Sequence, residues 1–189
     1  EEVRHGLRVL HPRYLTIPKF GMTVAPRLLY WSARMAVRKL LREGHEFDVI
    51  DAHYFYPDGV AAALLGQEFD LPVVITGRGT DLTLIPKFDR ARRQIAWAAR
   101  HASALVTVCQ SLQAPLRQMG VAEDRMLVLR NGVDLEIFKP APREAARARW
   151  GLTGFTLVCV GGLIARKGHH IVIEALTELT DCKLLIAGG

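Results

Sequence analysis

From residue 47 onward, short apolar runs take turns with amphipathic stretches, and this alternation limits the chain to a parallel-sheet α/β fold. Strands are predicted over 47–51, 72–76, 104–108 and 125–129, with helices over 59–69, 90–101 and 111–119 between them. Parallel neighbours require a crossover connection, and a helix of this length supplies it. Half of the 189 residues are apolar, enough for a substantial core. No repeat interrupts the pattern. No apolar run approaches the ~18 residues of a membrane-crossing helix, and the first residues read as the middle of a domain, without the layout of a signal peptide.

The pattern changes at Asn131-Gly-Val-Asp-Leu-Glu-Ile-Phe-Lys-Pro-Ala-Pro142, where Asn-Gly marks a turn and two prolines stop regular structure. This segment and a short helix over 143–150 form an expected interdomain connector, 131–150, between a first domain, 1–130, and a second that begins at 151. The second opens with a βαβ unit: strand 155–160, helix 168–179, strand 183–187. In that helix Val172, Ala175, Leu176 and Leu179 fall at i, i+3, i+4 and i+7 and predict one buried face. A lone βαβ unit cannot cover both faces of its sheet, so the second domain is expected to be truncated.

Val158-Cys-Val-Gly-Gly-Leu-Ile-Ala-Arg-Lys-Gly-His-His170 orders a strand, a glycine turn, a basic pair and a helix start. Gly161 and Gly162 let the backbone approach a ligand, Lys167 brings a mobile positive charge, and the helix opening near Gly168 directs free N–H groups and its dipole to the same place. The natural occupant is a phosphate or diphosphate; a plain strand–turn–helix unit with a solvated Lys167 is the alternative. The spacing fits neither a Walker loop nor the Gly-x-Gly-x-x-Gly dinucleotide fingerprint, which disfavours ATP hydrolysis and hydride transfer.

The formal charge of +6 is uneven: residues 1–130 carry 18 Lys and Arg against 13 Asp and Glu, whereas 131–189 carry 7 against 6. The basic surface therefore belongs to the first part, and suits anionic membrane, nucleic acid or phosphorylated ligands. No nucleic-acid module accompanies it, which argues against nucleic acid as a partner. Cys109, Cys159 and Cys182 lie in or beside apolar runs without paired spacing, so they are expected to be buried, reduced thiols in a cytoplasmic protein, with no disulfide or metal site.

Three segments together resemble family 4 (group 1) of the retaining glycosyltransferases of the GT-B fold: Asn131-Gly-Val-Asp134 followed by Phe138 and Pro140; Val160-Gly-Gly-Leu-Ile-Ala-Arg-Lys-Gly168 with Ile-Glu-Ala-Leu beyond; and Thr76-Gly-Arg-Gly-Thr-Asp81. The resemblance implies an incomplete acceptor-side Rossmann-like domain and the start of a nucleotide-sugar domain. It implies transfer of a sugar from a nucleotide donor to a glycan or lipid-linked acceptor with retention of configuration, with no cofactor and no metal on the diphosphate. Gly161, Gly162, Lys167 and Gly168 take the donor role by this resemblance. A glutamate pair that such enzymes use on the donor falls beyond residue 189, so the chain itself is expected to be inactive. Two departures stand out: Gly162 where many relatives have Arg, and Arg78 where many have His. Arg78 is accordingly expected either to contact the donor diphosphate across an interdomain cleft or to bind a carboxylate of its own domain. A nucleotide-sugar epimerase of the same fold and a non-catalytic binder of anionic lipid or glycan are the competing readings.

Other residues have local candidacies. His53, Tyr54 and Asp58 follow a strand at the carboxyl end of the sheet, where α/β proteins bind ligands, and are candidates for acceptor hydroxyls. Asp81 reads as a helix cap or a ligand-facing carboxylate, Ser111 as an N-cap, and Asn131 and Asp134 as hinge and turn residues. His169 and His170 point apart and make a poor metal pair, although one can face the donor phosphate. In a helix over 26–44, Arg27, Arg34, Arg38 and Arg42 fall within about an 80° arc, a stripe that suits either an anionic membrane or solvent.

Overall fold

The computed structural model describes residues 2–15 and 21–189. The chain forms two compact units, Glu1–Gly132 and Val133–Gly189.

The first unit is built on four parallel strands, β3 (Ile50–His53), β4 (Val73–Gly77), β5 (Ala104–Thr107) and β6 (Met126–Val128), adjacent in chain order. Helices α2 (Val60–Phe69), α4 (Asp89–His101) and α5 (Gln113–Gln118) make the crossovers, and α1 (Ala25–Arg42) packs on α2. Strand alternation directs Ala52, Ile75, Leu105 and Met126 into the core, which Ile95, Ala98, Ala99 and Leu116 complete from the helices. The other sheet face carries Asp51, His53, Thr76 and Val106 and exposes Leu127.

A one-turn helix, α3 (Thr80–Thr83), follows β4. Tyr56 fastens a 3-10 turn, Gly21–Thr23, to this core through one hydroxyl hydrogen shared between Met22 O and Gln94 Oε1, the latter at 2.9 Å, and Gln94 Nε2 donates to Thr23 O at 3.1 Å. Burial pushes the Tyr56 phenol up to about 12.

The predicted alternation is present with shifted edges. The strand predicted over 47–51 runs instead as Ile50–His53, because β4 starts only after Pro72; Ile50 N bonds Pro72 O at 2.9 Å, and β3 pairs with β4 from Ile50↔Val73 onward. The first residues form an antiparallel hairpin outside the predicted elements, β1 (Glu2–Arg4) with β2 (Leu7–Val9). Its signal was present: His5-Gly6 between two short alternating runs, with both residues at positive φ, 49° and 81°.

In the second unit α6 (Arg143–Arg149) precedes β7 (Phe155–Val160), which pairs in parallel with β8 (Cys182–Ala187) from Phe155↔Cys182 to Val160↔Ala187. The helix between them, α7 (His169–Ala175), tightens into a 3-10 turn at Leu176–Glu178 and stops short of the predicted 179. Of its predicted buried face only Val172 and Leu176 are half-buried, whereas Ala175 and Leu179 are exposed; two strands offer a helix too narrow a surface. Among the described residues no helix is long and apolar enough to cross a membrane.

Candidate functional site

At the carboxyl end of β3 and β4 the chain makes two sharp loops. Asp81, fully buried, organises both: its carboxylate accepts from Phe55 N at 2.8 Å, from Gly79 N at 2.7 Å and from Arg78 N at 3.1 Å. It is neither a ligand-facing group nor a cap on the free end of a helix; it fixes the loop after β4 against the loop after β3.

On that scaffold Arg78 is held outward. Its guanidinium donates to His53 Nδ1 at 2.7 Å and to Asn131 Oδ1 at 3.2 Å, and His53 Nε2 lies 3.3 Å from Asp51 Oδ2. The cation therefore binds an imidazole and an amide, not the carboxylate of its own domain. These four residues, with Thr76 and Leu129, line one groove of about 530 Å³. Asn131, read as a hinge residue, faces this groove, whereas Asp134 is the turn residue expected, with Oδ1 accepting from Glu136 N at 2.9 Å.

Tyr54 and Asp58 take different places. Tyr54 adopts φ 92° and its hydroxyl pairs with Thr80 Oγ1. Asp58 lies outside the groove lining, on the turn into α2; partial burial pushes its carboxyl pKa up and the charge of Asp81 adds to the rise.

In the second unit the glycine turn departs from a simple helix opening. Lys167 ends a 3-10 turn, Ala165–Lys167, and Gly168 at φ 73° redirects the chain into α7. Gly168 O accepts from Ile171 N and Val172 N, so the amides of His169 and His170 precede the helical ladder. The aliphatic stem of Lys167 packs on Gly161, whose φ is 151°; a Cβ there would stand 3.5 Å from Lys167 Cδ. Gly188, unremarked in the sequence, completes the turn: a Cβ on it would lie 1.9 Å from Gly161 O, and Gly161 N bonds Ala187 O at 2.9 Å. His169 is buried and holds Gly162 O through Nε2 at 3.2 Å, so it braces the turn from inside, while His170 is exposed.

Both loop systems sit at the carboxyl ends of parallel strands, the usual ligand position in α/β folds. The model of Glycosyltransferase Family 4 matches residues 3–137. The chain belongs to that family. Within it, the chain is 28% identical over 186 residues to a Bacillus subtilis glycosyltransferase named for teichuronic acid biosynthesis, TuaC, covering 95% of this chain and 46% of TuaC. It is similar to the crystal structure of Anabaena HepE in complex with UDP and glucose, at TM-score 0.64 and 25% identity over 79% of this chain and 42% of HepE. A Listeria monocytogenes protein carried under the name UDP-N-acetylglucosamine 2-epimerase shares the fold alone, at TM-score 0.52 and 12% identity, over 85% of this chain and 45% of that one. The chain thus spans less than half the length of these relatives. Its fold is the Rossmann-like, GT-B type of α/β architecture.

Three expectations for this family member change. Arg34 and Arg38 do not belong to a free stripe with Arg27 and Arg42: Arg34 Nε meets Glu68 of α2 at 2.7 Å and Arg38 Nη2 meets it at 2.6 Å, with the Tyr30 hydroxyl donating to the same carboxylate at 2.6 Å. Cys109 is exposed, not buried, because the chain turns off the end of β5 there, and Cys159 and Cys182 are half-buried. Ser111 sits within the following 3-10 turn with its hydroxyl 3.2 Å from Cys109 Sγ, where it lowers the thiol pKa and caps nothing.

Proposed function

We propose that the protein to which this chain belongs transfers a sugar from a nucleotide-sugar donor to a glycan or lipid-linked acceptor, with retention of the anomeric configuration and no metal on the diphosphate. The carrying observation is the Gly161 turn, with the Lys167 stem packed on it and the first amides of α7 beside it. A leaving diphosphate gains charge as the glycosidic bond breaks. A cation and amides already in place stabilise that charge most in the transition state, and so lower the barrier more than they tighten donor binding.

Arg78 is the second cation of this reading. A guanidinium has five N–H groups, and His53 and Asn131 take two, which leaves three for a donor oxygen. His53 holds an acceptor hydroxyl, and Tyr54 and Asp58 shape the loop that admits it. HepE holds UDP and glucose, so UDP-sugars are the first donors to test.

The complete protein is incubated with UDP-sugars, and transfer or slow donor hydrolysis is followed by NMR, which also reads the anomeric configuration. Turnover that Lys167→Ala suppresses supports the reading. Donor binding without sugar transfer or hydrolysis would replace it with the non-catalytic one, and interconversion of the donor at the sugar's C2 with epimerisation.

A further inference from the structure

We propose that the first two turns of α4, together with the apolar residues beside them, form a docking surface for an anionic lipid bilayer. The inference stands apart from the transfer reaction.

The buried stripe Ala91, Ile95 and Ala98 fixes which side of α4 faces out, and that side presents Arg90, Arg92 and Arg93. Its one acid, Asp89, is taken by Arg92 at 2.7 Å. Lys87, Arg90 and Arg93 have no ion-pair partner among the described residues. Beside these cations stand apolar side chains that the core leaves out: Phe88 is 53% exposed, Leu84 50%, Met22 44% and Val24 39%.

Residues 22–24 and 84–93 are distant in sequence and adjacent in space. Gln94 Nε2 donates to Thr23 O at 3.1 Å, and Met22, Val24, Phe88 and Arg90 line one groove of about 530 Å³. Arg93 lies between two more, sharing one of about 390 Å³ with Arg27 and one of about 650 Å³ with Lys87 and Arg92. Cations and apolar tips therefore interleave around one short stretch of helix.

That interleaving selects the partner. A folded acidic protein is met best by a gathered apolar centre with charges at its rim, and nucleic acid gives Leu84, Met22 and Val24 nothing to bind. A bilayer accepts both at once: apolar tips enter the boundary between headgroups and acyl chains while the guanidinium and ammonium groups stay with lipid phosphates. The surface differs from the arginine stripe of α1, half of which is spent on Glu68.

The complete protein is sedimented with phosphatidylglycerol/phosphatidylcholine vesicles and with pure phosphatidylcholine vesicles. Binding is expected only to the first and is expected to weaken with salt. Lys87→Gln, Arg90→Gln and Arg93→Gln combined should weaken it by about tenfold or more, and Leu84→Ser with Phe88→Ser should abolish what survives at high salt. Arg38→Gln with Arg42→Gln on α1 should leave it unchanged. As an independent readout, Phe88→Trp should add a blue-shifted emission when phosphatidylglycerol vesicles are supplied. Undiminished binding of the triple variant, an equal loss from the α1 pair, no shift from Trp at 88, or capture by polyglutamate without vesicle binding would each overturn the proposal.

Discussion

Arg78 donates to His53 Nδ1 at 2.7 Å, and this fixes more than a distance. A guanidinium only donates, so Nδ1 accepts and the imidazole proton resides on Nε2, which lies 3.3 Å from Asp51 Oδ2. Asn131 holds Arg78 and Arg78 holds His53, so one histidine is oriented through residues of two other segments.

If Arg78 serves the donor diphosphate, Arg78→Ala lowers kcat/KM by about a hundredfold, at least as much as Lys167→Ala. Gly162→Arg should then return part of the activity to the Arg78→Ala enzyme. The position accepts a side chain, because a Cβ on Gly162 meets nothing closer than Gly189 O at 3.9 Å and its φ is not positive. Steady-state kinetics on the two single variants and the double variant checks this; full activity of Arg78→Ala would remove Arg78 from the donor.

The α/β class, the parallel order and the glycine turn were legible because each leaves a local mark: an apolar run, a period, a Gly-Gly before Lys-Gly. Most of what positions the site was not. Asp81 bonds Phe55 N across 26 residues, and Glu68 gathers Tyr30, Arg34 and Arg38 across 30 or more. No spacing rule announces such pairings, so a helical wheel reports four arginines on one arc without showing that a neighbouring helix claims two. Gly188 was illegible for a similar reason: the need for glycine arises from Gly161, in the turn after another strand. The hairpin at the start is the opposite case, since its turn, His5-Gly6, is local in the sequence.

Asp81→Ala should destabilise the first unit more than any nearby surface change. It removes the acceptor shared by three backbone N–H groups, at about 1–3 kcal/mol for each donor left buried without a partner. Asp81→Asn retains one acceptor oxygen and should lie between. Urea unfolding monitored by tryptophan fluorescence gives the order, and a loss no larger for Asp81→Ala than for Asp89→Ala, on the exposed end of α4, would contradict it.

Acid should loosen α1 from α2. The Tyr30 hydrogen bond, with those of Arg34 and Arg38, pulls the Glu68 carboxyl from 4.5 down to about 2. A depressed carboxylate stabilises the fold above its unfolded value and loses that contribution as pH falls through the folded one. Tm of the wild type should therefore exceed that of Glu68→Gln at pH 7, and the gap should shrink between pH 4.5 and about 2. Thermal melts of both proteins across that interval provide the test; a constant gap would show that the cluster is not the titrating element.

Gly188→Ala should cost donor binding while sparing the first unit. Its Cβ would fall 1.9 Å from Gly161 O, and Gly188 itself adopts φ 154°, so the ends of β7 and β8 must part to admit it. Parting them strains the Gly161 N to Ala187 O bond and tilts the surface on which the Lys167 stem lies. Gly189→Ala is the control, since a Cβ there meets nothing within 4 Å. Calorimetric titration of a UDP-sugar into the complete protein should show affinity reduced by about tenfold or more in Gly188→Ala, the scale on which loss of one positioned charge contact reads, and near wild-type affinity in Gly189→Ala. Equal affinities in the two variants would mean that the turn is not what holds the donor.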